Sequence, residues 1–159
     1  MENFDYRVLA DVVDDVLLLE WDIAVGREDL CEFAARARSS PGRVRVAPYR
    51  IYHASRSNRA YPEAFWAPRR YEGTPEAGTT RPVAFGEPTC HLFPLGMTYL
   101  PRAHVVAFLE YVETFPEGRV NPFDDGAFSG WHHRYVEAEV PLDWDLRPVH
   151  LHYPTPKVD

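Results

Sequence analysis

The sequence predicts an α/β fold, a small mixed sheet with flanking helices. Three neighbouring stretches carry that expectation. The first, DDVLLLEWDIAV (14–25), holds the continuous apolar run Val16, Leu17, Leu18 and Leu19. A run of that kind reads as a strand buried on both faces, as inside a parallel sheet. The second, GREDLCEFAARARSS (26–40), repeats Leu30, Phe33, Ala34 and Ala37 at helical spacing. The third, RVRVAPYRIY (43–52), alternates as a strand does. Strand, helix and strand in that order are most simply joined as a parallel crossover unit.

Each element has its own local reason. Residues 4–13 read as a short strand or an irregular lead-in, and Asp14-Asp15 as a turn before a strand over 16–23. The helix that follows has Glu28 and Asp29 early and Arg36 and Arg38 late, which suits its dipole. Ser39, Ser40, Pro41 and Gly42 stop it. Pro48 marks the next strand as an edge or a bulge. Residues 54–88 mix Pro, Gly, Arg and aromatics without a period and read as a long loop. Its aromatics, Tyr61, Phe65, Trp66 and Tyr71, favour a packed binding loop over a free linker. Residues 89–100 read as strand or loop about Gly96. Pro101 then opens a helix whose apolar positions are Val105, Val106, Phe108, Leu109 and Val112, and Pro116-Glu117-Gly118 ends it. Residues 121–125 form a turn that caps a short helix through Ser129–His133. Residues 135–140 and 147–153 complete the set as strands.

Length and composition narrow the classes of function. The 159 residues predict a single domain spanning 1–159. The 15 prolines imply long ordered loops, and the net charge of −7 argues against a nucleic-acid partner. Cys31 and Cys90 sit in no metal or redox spacing and read as reduced, buried thiols. The acidic start is unlike a signal peptide, and no window reaches the roughly 18 apolar residues of a membrane span. A cytoplasmic location is the resulting expectation.

Several polar residues are placed to carry chemistry. Glu20 and Asp22 flank Trp21, so on an extended strand they share a face at its carboxyl end, where open α/β sheets bind ligands. Two such oxygen donors suit Mg²⁺ or Mn²⁺. His150 and His152 have the same i, i+2 relation, and imidazole suits several divalent metals. Asp124 and Asp125 precede a helix start, where one would cap it and the other could act as a general base. His132 and His133 point in opposite directions, and His91 reads as a loop or core histidine. Arg56, Arg59, Arg69, Arg70 and Arg81 could grip a diphosphate, although solvated loop charge explains them as well.

Taken in order, these pieces resemble the catalytic part of GT-A-type glycosyltransferases of the family 2-like kind. DDVLLLEWDIAV resembles the strand that ends in the family's DxD motif, with Glu20-Trp21-Asp22 in the motif position. REDLCEFAARARSSPGRVRVAPY resembles the following helix and strand, and GMTYLPRAHVVAFLEY the acceptor-side segment. DDGAFSGW resembles the acidic pair entering its helix, and RPVHLHY the strand with the metal-binding histidine. The resemblance implies a truncated GT-A-like (nucleotide-diphospho-sugar transferase) architecture, because most of the nucleotide-binding half that precedes the motif in that family has no counterpart here. It also implies transfer of a sugar from a nucleotide-sugar to an unknown acceptor. Asp22 would bind Mn²⁺ or Mg²⁺, Asp125 or Asp124 would be the acceptor base, and His150 or His152 a further metal ligand. A protein partner or a second copy of the chain would complete the site. Two other readings fit the same sequence. One is a non-catalytic acidic binding or structural assembly protein; the other is a different metal-dependent enzyme built on His150, His152 and the carboxylates.

Overall fold

The computed structural model describes residue 11 and residues 13–51, 65–115 and 125–151. In chain order the elements are β1 (Val16–Leu19), β2 (Ile23–Ala24), α1 (Arg27–Ser39), β3 (Arg45–Val46), β4 (Arg50–Ile51), β5 (Phe65–Trp66), β6 (Arg69–Tyr71), β7 (Thr80–Pro82), β8 (Thr89–Cys90), β9 (Met97–Leu100), α2 (Arg102–Glu113), α3 (Asp125–Tyr135), β10 (Val140–Pro141) and β11 (Val149–His150). The chain is therefore mixed α and β. No helix among the described residues is long and apolar enough to cross a membrane.

The central sheet has the order β1-β9-β3, and both outer strands run antiparallel to β9. β1 and β3 are thus parallel to each other and joined through α1, but β9 lies between them. The expected crossover is present in split form. This corrects the sequence-based picture of adjacent parallel strands, which cannot anticipate a strand inserted from fifty residues later. Among the described residues β1 is therefore an edge strand, half-buried at Val16–Leu18 and exposed at Leu19, where its apolar run predicts full burial. Beyond β3 the layer continues through a parallel bridge from Val46 to Leu142, and β10 pairs in turn with β8.

Alternation along the strands sorts the core into two layers. Leu18, Thr98 and Val46 stand in register on one face, and Leu17, Tyr99 and Arg45 on the other. The first face meets α2 and α3 through Leu100, Val105, Phe108, Phe128 and Trp131. The second meets α1 through Phe33, Ala37 and Met97. α1 forms where its periodicity predicts, with the expected acids in its first turn and arginines in its last. Cys31 lies on its solvent side and is exposed, contrary to the buried thiol expected there, whereas Cys90 is buried. α2 starts one residue after Pro101, and its first N–H, from Arg102, donates to Asp15 Oδ1 at 2.8 Å. Asp15 also accepts the Tyr99 hydroxyl, so the acid read as a turn residue caps a distant helix.

Several sequence-based elements change shape. The strand expected over 16–23 breaks at Glu20, whose carbonyl accepts the Ile23 N–H at 3.0 Å to make a turn. The strand expected over 43–52 splits into β3 and β4 around Ala47, Pro48 and Tyr49. The described part of the long loop is not irregular: β5 pairs with β4, and β6 with β7. The β6–β7 turn closes on Gly78, whose φ of 69° is one that a side chain would strain. α3 runs through Tyr135, so no strand begins there, and of the expected 135–140 strand Val140 alone pairs, as the first residue of β10. Of the strand expected over 147–153, Val149–His150 forms β11, paired with β2, and residues 152–153 lie outside the described residues.

Candidate functional site

Among the described residues a cleft of about 570 Å³ opens on the surface, within the range of small-ligand sites. Three stretches of chain build it. The β4–β5 pair contributes Arg50 and Trp66, cross-strand partners with the guanidinium carbon 5.8 Å from the indole centroid. The turn after β7 contributes Phe85, and the segment between β10 and β11 contributes Trp144 through Pro148. Trp66 and Trp144 meet edge to face at 4.8 Å and 88°, and Phe85 lies 5.2 Å from Trp144. The Trp144 indole N–H donates to the Glu87 carbonyl, which fixes the ring. Phe85 nevertheless stays 75% exposed, so the aromatic wall is open to solvent on one side.

A buried carboxylate holds this wall in place. Asp143, 6% exposed, accepts from Arg45 Nε at 3.0 Å and Nη2 at 2.6 Å, and from Arg36 Nη1 at 3.1 Å. Arg36 also forks onto Asp145 at 2.7 and 2.5 Å. Hydrogen bonding from Arg36 holds the Asp145 carboxyl down at about 2, and the same contacts raise Arg36 above its ordinary value. The Arg147 N–H donates to Asp29 Oδ2 at 3.2 Å. α1 therefore grips both ends of the Trp144 turn through Arg36 and Asp29.

At one end of the cleft the structure joins two of the residues that the sequence singles out. His150 Nε2 lies 3.2 Å from Asp22 Oδ2. β2 and β11 put them there, with His150 opposite Ile23 and the Leu151 N–H donating to the Asp22 carbonyl at 2.7 Å. The imidazole stacks on Tyr49 at 5.7 Å with the planes only 5° apart. Tyr49 in turn lies against Gly96, and the Gly96 carbonyl accepts the Glu20 N–H at 2.9 Å. Because the chain turns between Glu20 and Ile23, Glu20 and Asp22 do not share the face of one strand, which corrects the expected DxD-like arrangement.

Asp124, His152 and the side chain of Asp125 lie outside the described residues, although Asp125 is the first residue of α3. Among the described residues no group of three or more His, Cys, Asp or Glu side chains could hold a metal ion. Magnesium and manganese favour about six mainly oxygen donors. One carboxylate already paired with one imidazole is short of that set. What the pair can do as it stands is orient His150 and carry a proton at the mouth of an aromatic cleft.

The arginines expected near a diphosphate do other work. Arg70 donates to Glu139 at 2.9 Å and to Thr89, Arg81 pairs with Glu87 at 2.8 Å, and Arg69 donates to Thr80. Arg56 and Arg59 lie outside the described residues. His91 Nδ1 accepts the Tyr71 N–H at 3.0 Å, and its burial together with Arg70 lowers its proton affinity. Trp144, Phe85, Tyr49 and Arg147 carry no sequence motif, yet one signal was present. Asp143-Trp144-Asp145 repeats the acid–Trp–acid pattern of Glu20-Trp21-Asp22, and the second copy is the one that lines the cleft.

No protein-family model, curated protein or solved structure matches this chain. The glycosyltransferase resemblance therefore stands on the order of its motifs alone.

Proposed function

We propose that this protein binds, in the aromatic cleft, a ligand that combines a planar ring with an anionic group. The observation that carries this reading is the open ring wall of Trp66, Phe85 and Trp144 with Arg50 and Arg147 on the same cleft. An exposed aromatic wall gains by stacking on a flat ring. Arginine suits a carboxylate or phosphate by forked hydrogen bonds. Although the whole chain is acidic, Arg36 and Arg45 offset the nearby Asp143 and Asp145. Sugar nucleotides, the donors implied by the resemblance, belong to this ligand class. The non-catalytic binding reading fits the same cleft.

A second reading is favoured by the 3.2 Å contact of Asp22 with His150. There the bound ligand would meet an oriented imidazole able to take or give a proton, and the protein would be an enzyme acting on that ligand.

Calorimetric titration with sugar nucleotides, free nucleotides and aromatic carboxylates tests the first reading, with and without Mn²⁺. Saturable binding that weakens tenfold or more in Trp144→Ala is expected. Absence of binding at millimolar ligand, or binding indifferent to Trp144→Ala, overturns it. If binding survives in Asp22→Asn while turnover of the bound ligand is lost, the second reading holds too.

A further inference from the structure

Four polar or charged side chains are buried among the described residues: Thr98, Ser129, His132 and Asp143. Three are bonded. Thr98 donates to the Pro94 carbonyl at 2.7 Å, Ser129 to the Gly126 carbonyl at 3.4 Å, and Asp143 holds two arginines. His132 has no exposed surface, and neither of its ring nitrogens has a hydrogen-bond partner. Its ring lies 5.1 Å from that of His104 on α2, whose buried Nδ1 is also unpartnered. Phe93 at 5.5 Å and Phe128 at 6.4 Å wall in the rest. Buried polar groups are ordinarily satisfied, so three orphaned ring nitrogens at one helix contact call for an explanation.

We propose that the His104–His132 pair is an acid-sensitive latch, whose protonation releases α3 from α2 while α1, α2 and the central sheet stay folded. A neutral imidazole is tolerable in an aromatic box, but a charged one without a counter-ion is not. Among the described residues the groups acting on His132 are His104 from α2 and His133 from α3, both of which oppose its protonation, and no carboxylate of that set acts on it. Burial lowers the His104 pKa as well, with Glu137 and Asp15 opposing it only in part, so both rings of the pair favour the neutral form. Burial, then His104 and His133, pushes the His132 pKa from 6.5 down to about 3. An opened α3 would restore the ordinary value, so the open state binds more protons below pH 6.5 and gains population as pH falls. From His132 alone, the opening constant rises roughly 70-fold between pH 7 and about pH 4.5.

The rest of the fold can survive the opening. α2 keeps Val105 and Phe108 on the sheet, and α1 packs on the opposite face through Phe33 and Ala37. Release of α3 uncovers Phe93, Phe128 and Trp131. It also removes Gly130, His133 and Arg134 from the wall of a second cleft of about 380 Å³.

Hydrogen exchange of the full chain at pH 7 and about pH 4.5, corrected for intrinsic rates, tests the latch. Loss of protection in α3 with α1 and β9 still protected is expected, together with dye binding to the uncovered aromatics. In His132→Phe, which keeps a ring and removes both nitrogens, α3 should stay protected at both pH values. Equal loss in wild type and His132→Phe, loss in all elements together, or no loss by pH 4.5 overturns the proposal. Should that variant fail to fold, imidazole NMR of the wild type decides: the His132 titration and the α3 opening must share one midpoint, and separate midpoints overturn it.

Discussion

A Cβ built on Gly96 would lie 2.4 Å from Cε1 of Tyr49. The ring that needs this space is the one on which His150 stacks, so a missing side chain in the turn before β9 sets the position of the imidazole in the cleft. Gly96→Ala is expected to push Tyr49 aside and cost about 1–3 kcal/mol, as overpacked cores do. Denaturant melts would measure the loss. A shift of the His150 ring resonances, absent in an alanine substitution elsewhere on the surface, would show that the displacement reaches the Asp22 pair.

The two acids around Trp144 are expected to behave differently. Asp143 is buried between two arginines; Asp143→Ala takes this carboxylate from Arg45, while Arg36 keeps Asp145 and Glu32, and costs about 3 kcal/mol. Asp145 is mostly exposed, and Asp145→Ala costs less than about 1 kcal/mol. Chemical denaturation of both variants checks the contrast, which would vanish if the network were a surface feature.

Asp15 links three elements, since it precedes β1, accepts the Tyr99 hydroxyl on β9 and caps α2. Asp15→Ala is expected to cost about 1–2 kcal/mol. Those two hydrogen bonds lower its pKa from 3.8. The folded state therefore holds this proton less tightly than the unfolded chain. The stabilisation is full above the unfolded value and is lost as pH falls through the lower folded one. A stability profile below pH 4 should be flatter in Asp15→Ala than in the wild type.

The two thiols should separate under a thiol reagent. Cys31 is exposed, while burial pushes the Cys90 thiol up to about 12 and shields it. One equivalent is expected to react quickly in the folded protein and the second only on unfolding. Cys31→Ser should remove the fast phase and leave the slow one.

How much of this was readable in the sequence varies with the range of the forces involved. α1 was legible because Leu30, Phe33, Ala34 and Ala37 encode its face locally and Ser39–Gly42 stop it. The run at Val16–Leu19 also showed itself as a strand. Its edge position did not, because the partner is Met97–Leu100 and pairing across eighty residues leaves no local trace. The turn at Glu20–Ile23 was hidden by residues that suit a strand equally well. His150 and Asp22 were both visible as candidates, but their contact depends on β11 finding β2. For Trp144 the acid–Trp–acid repeat was the one signal, and its place in the cleft was not legible because Arg36 and Arg45 reach the adjacent Asp143 from distant parts of the chain.

The insertion of β9 between β1 and β3 also dictates the order in which the molecule can assemble. Among the described residues neither outer strand has its partner in the central sheet until the chain has been made through Leu100. The first fifty residues, which read as a self-sufficient strand–helix–strand unit, cannot close their sheet alone. Folding must wait for a contact of long sequence separation, which slows it. During synthesis the apolar run of β1 emerges early and waits about eighty residues for β9, a circumstance in which nascent chains need protection from aggregation.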